Sequence, residues 1–251
     1  MILMISYGKT DRGKKRKRNE DSFSISECGD FVSAIVCDGM GGVGGGDVAS
    51  ELAVCVYNDI LFKEIGKSCD SLTPQIIKNA MLTAVDEANE AIINRGAKES
   101  SLHGMGTTLV SVFVWGGKAY VANVGDSRLY RVAGDKLEQV TKDHSYVQYL
   151  LDSGKITAEE AETHPHRNVI TKALGASLNV EPDFFAVDAF DAVMLCSDGL
   201  INYADKDEIE EIVSSDLTAK KKVHALISAA KNGGGGDNIT VILLEKEEDD
   251  G

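Results

Sequence analysis

The chain has 251 residues, of which 43% are apolar, and this is enough for a globular unit with a buried core. Its formal net charge of −14 argues against nucleic-acid binding, because an acidic surface repels a phosphate backbone. The five cysteines are odd in number and form no CxxC pair, which disfavours a disulfide framework or a zinc–thiolate site and favours a cytoplasmic location. The apolar stretch at residues 1–5 is too short for an export signal, and no stretch is long enough to span a membrane.

The first part of the chain combines apolar strands with two long helices. One strand opens at Glu20-Asp21, and a buried strand is predicted over residues 30–37. Helical spacing of apolar residues predicts a helix over 47–65, with Asp47 as its N-cap, and another over 73–98, opening at Thr73-Pro74.

Strands dominate the remainder of the chain. Two of them are joined by Gly116-Gly117, which is typical of a two-residue hairpin. Residues 145–180 are less regular, apart from a capped helical turn at Thr157-Ala158-Glu159-Glu160, and we expect them to form a surface flap near the active site. The predicted elements are strands over 107–115, 118–124, 128–132, 136–140, 184–187, 192–196 and 238–244, and helices over 207–213 and 219–231.

The order of these elements predicts the fold class. Helices follow one another in pairs and strands follow one another in hairpins, so simple βαβ alternation is missing and the sheets should be mainly antiparallel. We expect an α+β fold in which helices pack outside a sandwich of two sheets. Residues 1–245 are predicted to form a single domain, followed by an acidic, solvated tail over 246–251.

Acidic residues recur at the predicted strand boundaries. A carboxylate at the end of a buried strand is costly unless something pairs with it, and nearby lysines and arginines are too few. Mg²⁺ or Mn²⁺ would stabilise such a group, although any single member is equally well explained as a turn former or helix cap. The acids are Glu20, Asp21, Asp38, Asp126, Asp198 and Asp237, and most lie beside a glycine.

The glycine-rich segment 39–44 formally matches the dinucleotide fingerprint GxGxxG. Asp38 directly precedes it and would repel a pyrophosphate, and the following helix leads into another helix rather than a strand, so we reject that interpretation. No complete P-loop, HExxH motif or Cys-x5-Arg motif occurs.

Residues 12–18 contain six basic side chains in seven positions. Three interpretations are open: a solvated loop, a nucleic-acid or targeting patch, and phosphate capture beside a metal site. Because the run leads directly into Asn19-Glu20-Asp21, phosphate capture is favoured for at least one arginine, and the other cations are candidates for recruiting acidic phosphopeptides.

Eight stretches together carry a resemblance to a known family. They are Arg16-Lys17-Arg18-Asn19-Glu20-Asp21, Val36-Cys37-Asp38-Gly39-Met40-Gly41-Gly42, Gly104-Met105-Gly106-Thr107-Thr108-Leu109, Val124-Gly125-Asp126-Ser127-Arg128, Thr141-Lys142-Asp143-His144-Ser145, His164-Pro165-His166-Arg167-Asn168, Cys196-Ser197-Asp198-Gly199-Leu200 and Asp237-Asn238-Ile239-Thr240-Val241. In this order they resemble the bacterial type-2C protein phosphatases, the metal-dependent Ser/Thr class. The resemblance implies a four-layer α-β-β-α sandwich with a metal cluster between the sheets at one edge.

The resemblance also implies roles for individual residues. The first metal ion would be held by Asp38, Asp198 and Asp237. The second would be held, directly or through water, by Asp38, by the Gly39 carbonyl and by either Glu20 or Asp21. A weaker third ion would be held by Asp126 with Asp198. Arg16 would bind the substrate phosphate, and residues 145–180 would be the family's flap.

The implied activity is hydrolysis of phosphoserine and phosphothreonine in proteins by a metal-activated water, without a phosphoenzyme. The cofactors would be two Mn²⁺ or Mg²⁺ ions, together with the more weakly bound third ion. Phosphorylated proteins would be the substrates and a Ser/Thr protein kinase a partner, and we expect a monomer that binds neither nucleic acid nor membrane.

One position departs from the family pattern. Many members carry a histidine, proposed as the general acid, directly after Asp-Gly-Met-Gly-Gly, where this chain has Val43. Metal-bound water is then the candidate proton donor. The departure also motivates an alternative of another class, a phosphoprotein-binding protein with little catalysis, although the complete set of acids argues against it.

Overall fold

The architecture comes from a computed structural model that describes residues 4–41, 45–68 and 71–247. The strands are Met4–Asp11 (β1), Asp21–Cys28 (β2), Phe31–Met40 (β3), Gly106–Thr107 (β4), Leu109–Trp115 (β5), Lys118–Val124 (β6), Arg128–Ala133 (β7), Lys136–Gln139 (β8), Asp183–Val187 (β9), Ala192–Cys196 (β10) and Ile239–Lys246 (β11). The α-helices are Gly46–Gly66 (α1), Pro74–Lys98 (α2), Tyr146–Asp152 (α3), Ala158–Glu162 (α4), Asp198–Ile201 (α5), Lys206–Ser214 (α6) and Ala219–Asn232 (α7).

The strands form two antiparallel sheets. One has the order β1-β11-β10-β7-β8, and the other has the order β2-β3-β5-β6-β9, with β4 added beside β3. The predicted hairpin at Gly116-Gly117 joins β5 to β6, and both glycines have positive φ, 59° and 82°. Two successive positive φ angles are what the tight turn of a twisted hairpin requires.

Three buried apolar clusters separate four layers. One lies between α1, α2 and the β3–β5–β6 face, and includes Tyr57 and Phe113. A second lies between the two sheets and includes Val36 and Leu195, and a third packs α6 and α7 against β10 and β11. The expected α+β fold, an α-β-β-α sandwich, is therefore confirmed.

The predicted start of α2 agrees with the structure, whereas the predicted N-cap of α1 does not. The predicted opening of α2 at Thr73-Pro74 is confirmed, and the Thr73 side chain also caps the helix by accepting from the Ile76 amide. Asp47 does not cap α1: the helix begins after Gly45, and Asp47 lies inside the first turn. An acid there still interacts favourably with the positive end of the helix.

The end of β3 differs from the prediction in a way that matters for the site. The apolar run stops at Cys37, but pairing of Gly39 and Met40 with β4 extends the strand, so Asp38 lies inside it. Strand β1 was missed because Gly8 and Lys9 interrupt its apolar pattern. A glycine is needed there, since a Cβ on Gly8 would lie 2.7 Å from the Phe23 ring of the opposite sheet.

Residues 145–180 contain α3 and α4 and lie beside the edge where β6 and β10 end. The predicted capped turn is confirmed, because Thr157 and Glu160 form a complete capping box at α4. Helices α3 and α5 were not predicted, since each is too short to show an apolar period.

The tail beyond residue 247 lies outside the described residues. No helix in the described ranges is long and apolar enough to cross a bilayer.

Candidate metal centre

Asp21 and Asp38 lie directly opposite each other on β2 and β3. Residues paired in this way in an antiparallel sheet have Cβ atoms about 5 Å apart. Two like charges at such a distance are unfavourable unless a proton or a cation accompanies them. The strand register alone therefore brings together two of the predicted ligands.

Asp21 is also connected to the other sheet. Its Oδ2 accepts hydrogen bonds from the hydroxyls of Ser197, at 2.8 Å, and Thr240, at 2.6 Å. Ser197 directly follows β10 and precedes Asp198, and Thr240 is the second residue of β11, three positions after Asp237. Asp21 thus connects the two sheets at the edge where the acids gather.

A second hydrogen-bonded path brings Asp126 to the same edge. The Asp38 amide donates to Thr108 Oγ1 at 2.9 Å, and that hydroxyl lies 2.7 Å from the hydroxyl of Ser127. Gly125, which precedes Asp126, has φ +107°, and a Cβ on it would lie 2.6 Å from the Thr108 side chain. Only glycine permits this close turn.

Gly39 lies where three backbone segments cross. Its amide donates to the Glu20 carbonyl at 3.1 Å, and a Cβ would lie 2.1 Å from the carbonyl oxygen of Gly46, at the start of α1. The Glu20 carboxyl group lies next to Gly46 on the same side. Burial, and then the Asp47 carboxylate, raise the pKa of Glu20.

Arg16 and Asp198 complete the cluster around Asp237. The Arg16 guanidinium donates to Asp237 Oδ2 at 2.7 Å, and the arginine side chain is 51% exposed. Asp198 begins α5, where its Oδ2 accepts from Asn202 at 2.9 Å. The structure therefore brings the seven proposed metal-ligand positions, together with Arg16, to one edge of the sandwich.

Electrostatics show how closely the carboxyl groups interact. Burial, reinforced by neighbouring aspartates, raises the pKa of Asp21 and of Asp126 to about 7. Burial, and then Asp237, raise the pKa of Asp198 to about 6. The pKa of Asp38 is raised well above its usual value by burial and then by Asp21 and Asp198. A cation bound among these carboxyl groups would offset the free-energy cost of burying their negative charge.

The donor chemistry fits hard divalent cations. One oxygen of each of Asp21, Asp126 and Asp198 is buried and has no hydrogen-bond partner among the described residues. Buried oxygens of this kind are rare unless a ligand satisfies them. No three His, Cys, Asp or Glu side chains in the described ranges already form a complete ligand set for one ion. Ion binding would therefore require these like-charged groups to move closer together, and would compete with Arg16 for Asp237.

Several positioning residues were quoted in the sequence motifs without a role. The Asn238 side chain accepts from the Glu20 amide at 2.8 Å and donates to the carbonyls of Arg12 and Arg18. Thr108, Ser127, Ser197 and Thr240 hold the acids as described above. Their place within the quoted motifs was the only signal for them in the sequence.

A cleft of about 580 Å³ opens beside Asp126 and Asp198. The segment 145–180 forms one wall through α3 and α4, and α5 and α6 form the other. Arg128 lies in the cleft and forms a bidentate pair with Asp143, at 2.9 and 2.7 Å. The segment predicted to be a flap therefore lines a cleft whose wall also includes Asp126 and Asp198 of the acidic cluster.

Comparison with known proteins agrees with this architecture. The chain matches the family described as Protein phosphatase 2C over residues 10–229. It is 42% identical to the serine/threonine phosphatase stp of Listeria innocua over 225 residues, 88% of each chain. It is 37% identical to the protein phosphatase PhpP of Streptococcus pneumoniae, over 88% of this chain and 89% of that one.

Solved structures agree as well. The Streptococcus agalactiae serine/threonine phosphatase has a TM-score of 0.89 at 33% identity and covers 98% of this chain and 100% of its own. The catalytic domain of the protein phosphatase PstP, solved with two manganese ions, has a TM-score of 0.82 at 32% identity and covers 99% and 100%. The chain belongs to the protein phosphatase 2C family, and it is a protein serine/threonine phosphatase. The family resemblance seen in the motifs is thereby confirmed.

Proposed function

We propose that this phosphatase hydrolyses phosphoserine and phosphothreonine in proteins by direct attack of water, using divalent metal ions and forming no phosphoenzyme. The observation that carries the proposal is the set of three buried, unpartnered carboxylate oxygens, on Asp21, Asp126 and Asp198, within the described residues. Their chemistry suits Mn²⁺ or Mg²⁺, and the manganese complex of PstP supports the same assignment.

The proposed ligands are those that the acidic cluster contains. Two ions, with a third bound more weakly, would supply Lewis-acid chemistry, lowering the pKa of water and neutralising phosphoryl charge. Asp38, Asp198 and Asp237 would hold the first ion. The Gly39 carbonyl, Asp38 and either Glu20 or Asp21 would hold the second, and Asp126 with Asp198 the third.

Arg16 is the proposed phosphate-binding residue. Its guanidinium is half exposed and bonded to Asp237, so it is reachable from solvent and already positioned over the acidic cluster. Arginine offers a planar pair of donors that matches phosphate oxygens. Substrate binding would exchange the Asp237 contact for contacts with the phosphoryl group and would balance charge that develops there.

The two buried cysteines are poor candidates for a covalent phosphoenzyme. Burial, together with the carboxylates of Asp21 and Asp38, raises the pKa of the Cys37 thiol well above its usual value. Burial raises the pKa of the Cys196 thiol to about 12. Neither thiol forms the thiolate that nucleophilic attack on phosphorus requires.

The proposal also covers the substrates, the partner, the domain organisation, the oligomeric state and the location of the protein. Phosphorylated proteins are the substrate class, and a Ser/Thr kinase is a proposed partner. We further propose one catalytic domain over 1–245 with a flap over 145–180, a monomeric state and a cytoplasmic location. The flap proposal is supported by the cleft that this segment forms beside Asp126.

The experiment measures phosphate release from a phosphothreonine peptide across a Mn²⁺ titration. We expect Asp38→Ala and Asp198→Ala to abolish turnover. The exposed Asp135→Ala and Asp216→Ala remove the same charge elsewhere and should leave turnover unchanged. A parallel measurement of thermal stabilisation by Mn²⁺ should show the loss of ion binding directly.

Two outcomes would contradict the proposal. Normal turnover in excess chelator would exclude a metal-dependent reaction. Tight binding of the phosphopeptide without turnover, in saturating Mn²⁺, would instead support the alternative of a phosphoprotein-binding protein.

A further inference from the structure

The segment from Arg12 to Arg18, here called the basic loop, carries six cations that face two different environments. Arg16 pairs with Asp237, and Arg18 lies 3.7 Å from Asp47. The remaining four are exposed and have no acidic partner within ion-pair distance in the described part of the chain: Arg12, Lys14, Lys15 and Lys17. Their charges are therefore available to a ligand.

The basic loop is held in one conformation. The side-chain amide of Asn238 donates to the backbone carbonyls of Arg12, at 3.0 Å, and Arg18, at 2.9 Å, which are the two ends of the loop. The Lys14 amide donates to the Gly235 carbonyl at 2.8 Å. Gly13 has φ +75° and would place a Cβ 2.0 Å from the Asp237 carbonyl oxygen. A fixed loop loses little conformational entropy when it binds a partner.

The free cations are continuous with the catalytic edge. Lys15 and Lys17 are the immediate neighbours of Arg16, the proposed phosphate-binding residue, and consecutive Cα atoms are about 3.8 Å apart. Peptide residues next to a phosphorylated side chain at Arg16 would therefore lie within reach of these lysines. The acids of the metal centre would otherwise repel a negatively charged flanking residue.

We propose that Lys14, Lys15 and Lys17 form a docking surface for acidic or additionally phosphorylated residues that flank the phosphorylated residue of the substrate. This inference rests on the proposed function and assigns a substrate class to the same site. The three lysines add attraction at the rim of a centre that is itself strongly acidic.

Charge distribution favours a peptide over a nucleic acid as the occupant. The chain has 40 Asp and Glu against 26 Lys and Arg, and six of those cations lie in the basic loop. A long phosphate backbone would extend beyond the loop and meet the acidic remainder of the surface. A short acidic segment meets mainly the loop, because charges beyond about 8 Å are screened at physiological salt.

The experiment compares phosphothreonine peptides that differ only in flanking residues, with glutamate in one and glutamine in the other. Phosphate release is measured in Mn²⁺ for the wild type and for the triple variant Lys14→Gln, Lys15→Gln and Lys17→Gln. The matched control triple is Lys98→Gln, Lys220→Gln and Lys221→Gln, which removes the same charge from exposed sites on α2 and α7. A third triple, Lys14→Arg, Lys15→Arg and Lys17→Arg, keeps the positive charge.

The wild type should prefer the glutamate-flanked peptide through a lower KM, and the preference should weaken as salt is raised. The loop triple should reduce this preference about tenfold, since each exposed pair contributes modestly. The arginine triple and the control triple should retain it. Equal kcat/KM for the two peptides in the wild type, or an equal loss in the control triple, would overturn the proposal.

Two outcomes of these kinetics and one further binding measurement separate the alternatives. If the wild type turns over the glutamine-flanked peptide but shows no preference, the docking inference fails while the proposed function stands. If neither peptide is turned over in Mn²⁺, the proposed function fails. A DNA oligonucleotide that binds more tightly than the glutamate-flanked peptide, and loses binding in the loop triple, would overturn the choice of occupant.

Discussion

The hydroxyl of Ser197 donates a 2.8 Å hydrogen bond to Oδ2 of Asp21, and this contact joins the two sheets at the acidic edge. Both residues are buried, and the Ser197 oxygen also accepts from the Thr240 amide at 3.0 Å. Asp21 is thereby held with its other oxygen unpartnered among the described residues. The contact links the packing of the sandwich to the geometry of the proposed metal centre.

Replacing Ser197 with alanine should weaken both stability and metal binding. The change removes a buried donor to a carboxyl group and an acceptor for Thr240, so the free energy of unfolding should fall by about 1–3 kcal/mol. Urea denaturation in chelator measures the first effect, and Mn²⁺ titration of activity measures the second.

Ser33→Ala is the matched control for this change. Ser33 is buried on β3, but its hydroxyl has no hydrogen-bond partner among the described residues. Its removal should therefore change stability little. An unchanged Mn²⁺ requirement in Ser197→Ala would show that the contact serves folding alone.

The pH dependence of stability should reverse when metal is added. Asp21 and Asp126 have pKa values raised from 3.8 to about 7, so the folded state holds protons that the unfolded state releases. In chelator, their contribution to stability is full below pH 3.8 and is lost as pH rises towards about 7. With Mn²⁺, stability should rise over the same window because protons and ions compete for the carboxylates.

Thermal unfolding across this pH window, with chelator and with Mn²⁺, measures the effect. Asp126→Asn removes one titrating group and should flatten the curve in chelator. Identical pH profiles with and without Mn²⁺ would disagree with metal binding at these carboxyl groups.

Arg16→Ala should lower kcat/KM about 10- to 100-fold, because a charged hydrogen bond to phosphate contributes on the order of 1.5–3 kcal/mol. Arg16→Lys should recover only part of this, since an ammonium group lacks the planar fork. Arg95→Ala is a suitable control: Arg95 is 54% exposed against 51% for Arg16, and it also pairs with a carboxylate. Steady-state kinetics with a phosphothreonine peptide would decide, and an equal effect at Arg95 would count against the assigned role.

Val43→His should increase turnover of phosphopeptides at least about tenfold more than turnover of nitrophenyl phosphate. A serine or threonine oxygen needs a proton as it departs, whereas nitrophenolate does not. Val43 lies outside the described residues, so this prediction rests on the sequence position. Val43→Gln supplies a polar side chain without an acid and should not reproduce the effect. Equal gains on both substrates would disprove the role of a general acid here.

Much of the fold follows from local patterns. The paired helices α1 and α2, the β5–β6 hairpin and the α4 capping box were all predicted, because each depends on residues close together in sequence. The N-cap of α1 was predicted wrongly at Asp47, since nothing local shows that the helix begins after Gly45. Likewise, no local signal shows that β4 extends β3 beyond Cys37.

The sequence by itself determined the family, the order of the elements and the acids that are candidates for metal binding. Tertiary structure alone decided that these acids meet, because their contacts join residues far apart in the chain. The hydrogen bonds of Asp21 to Ser197 and Thr240 span 176 and 219 positions. Strand register and the packing of one sheet on the other set such contacts, and neither is written in any local pattern.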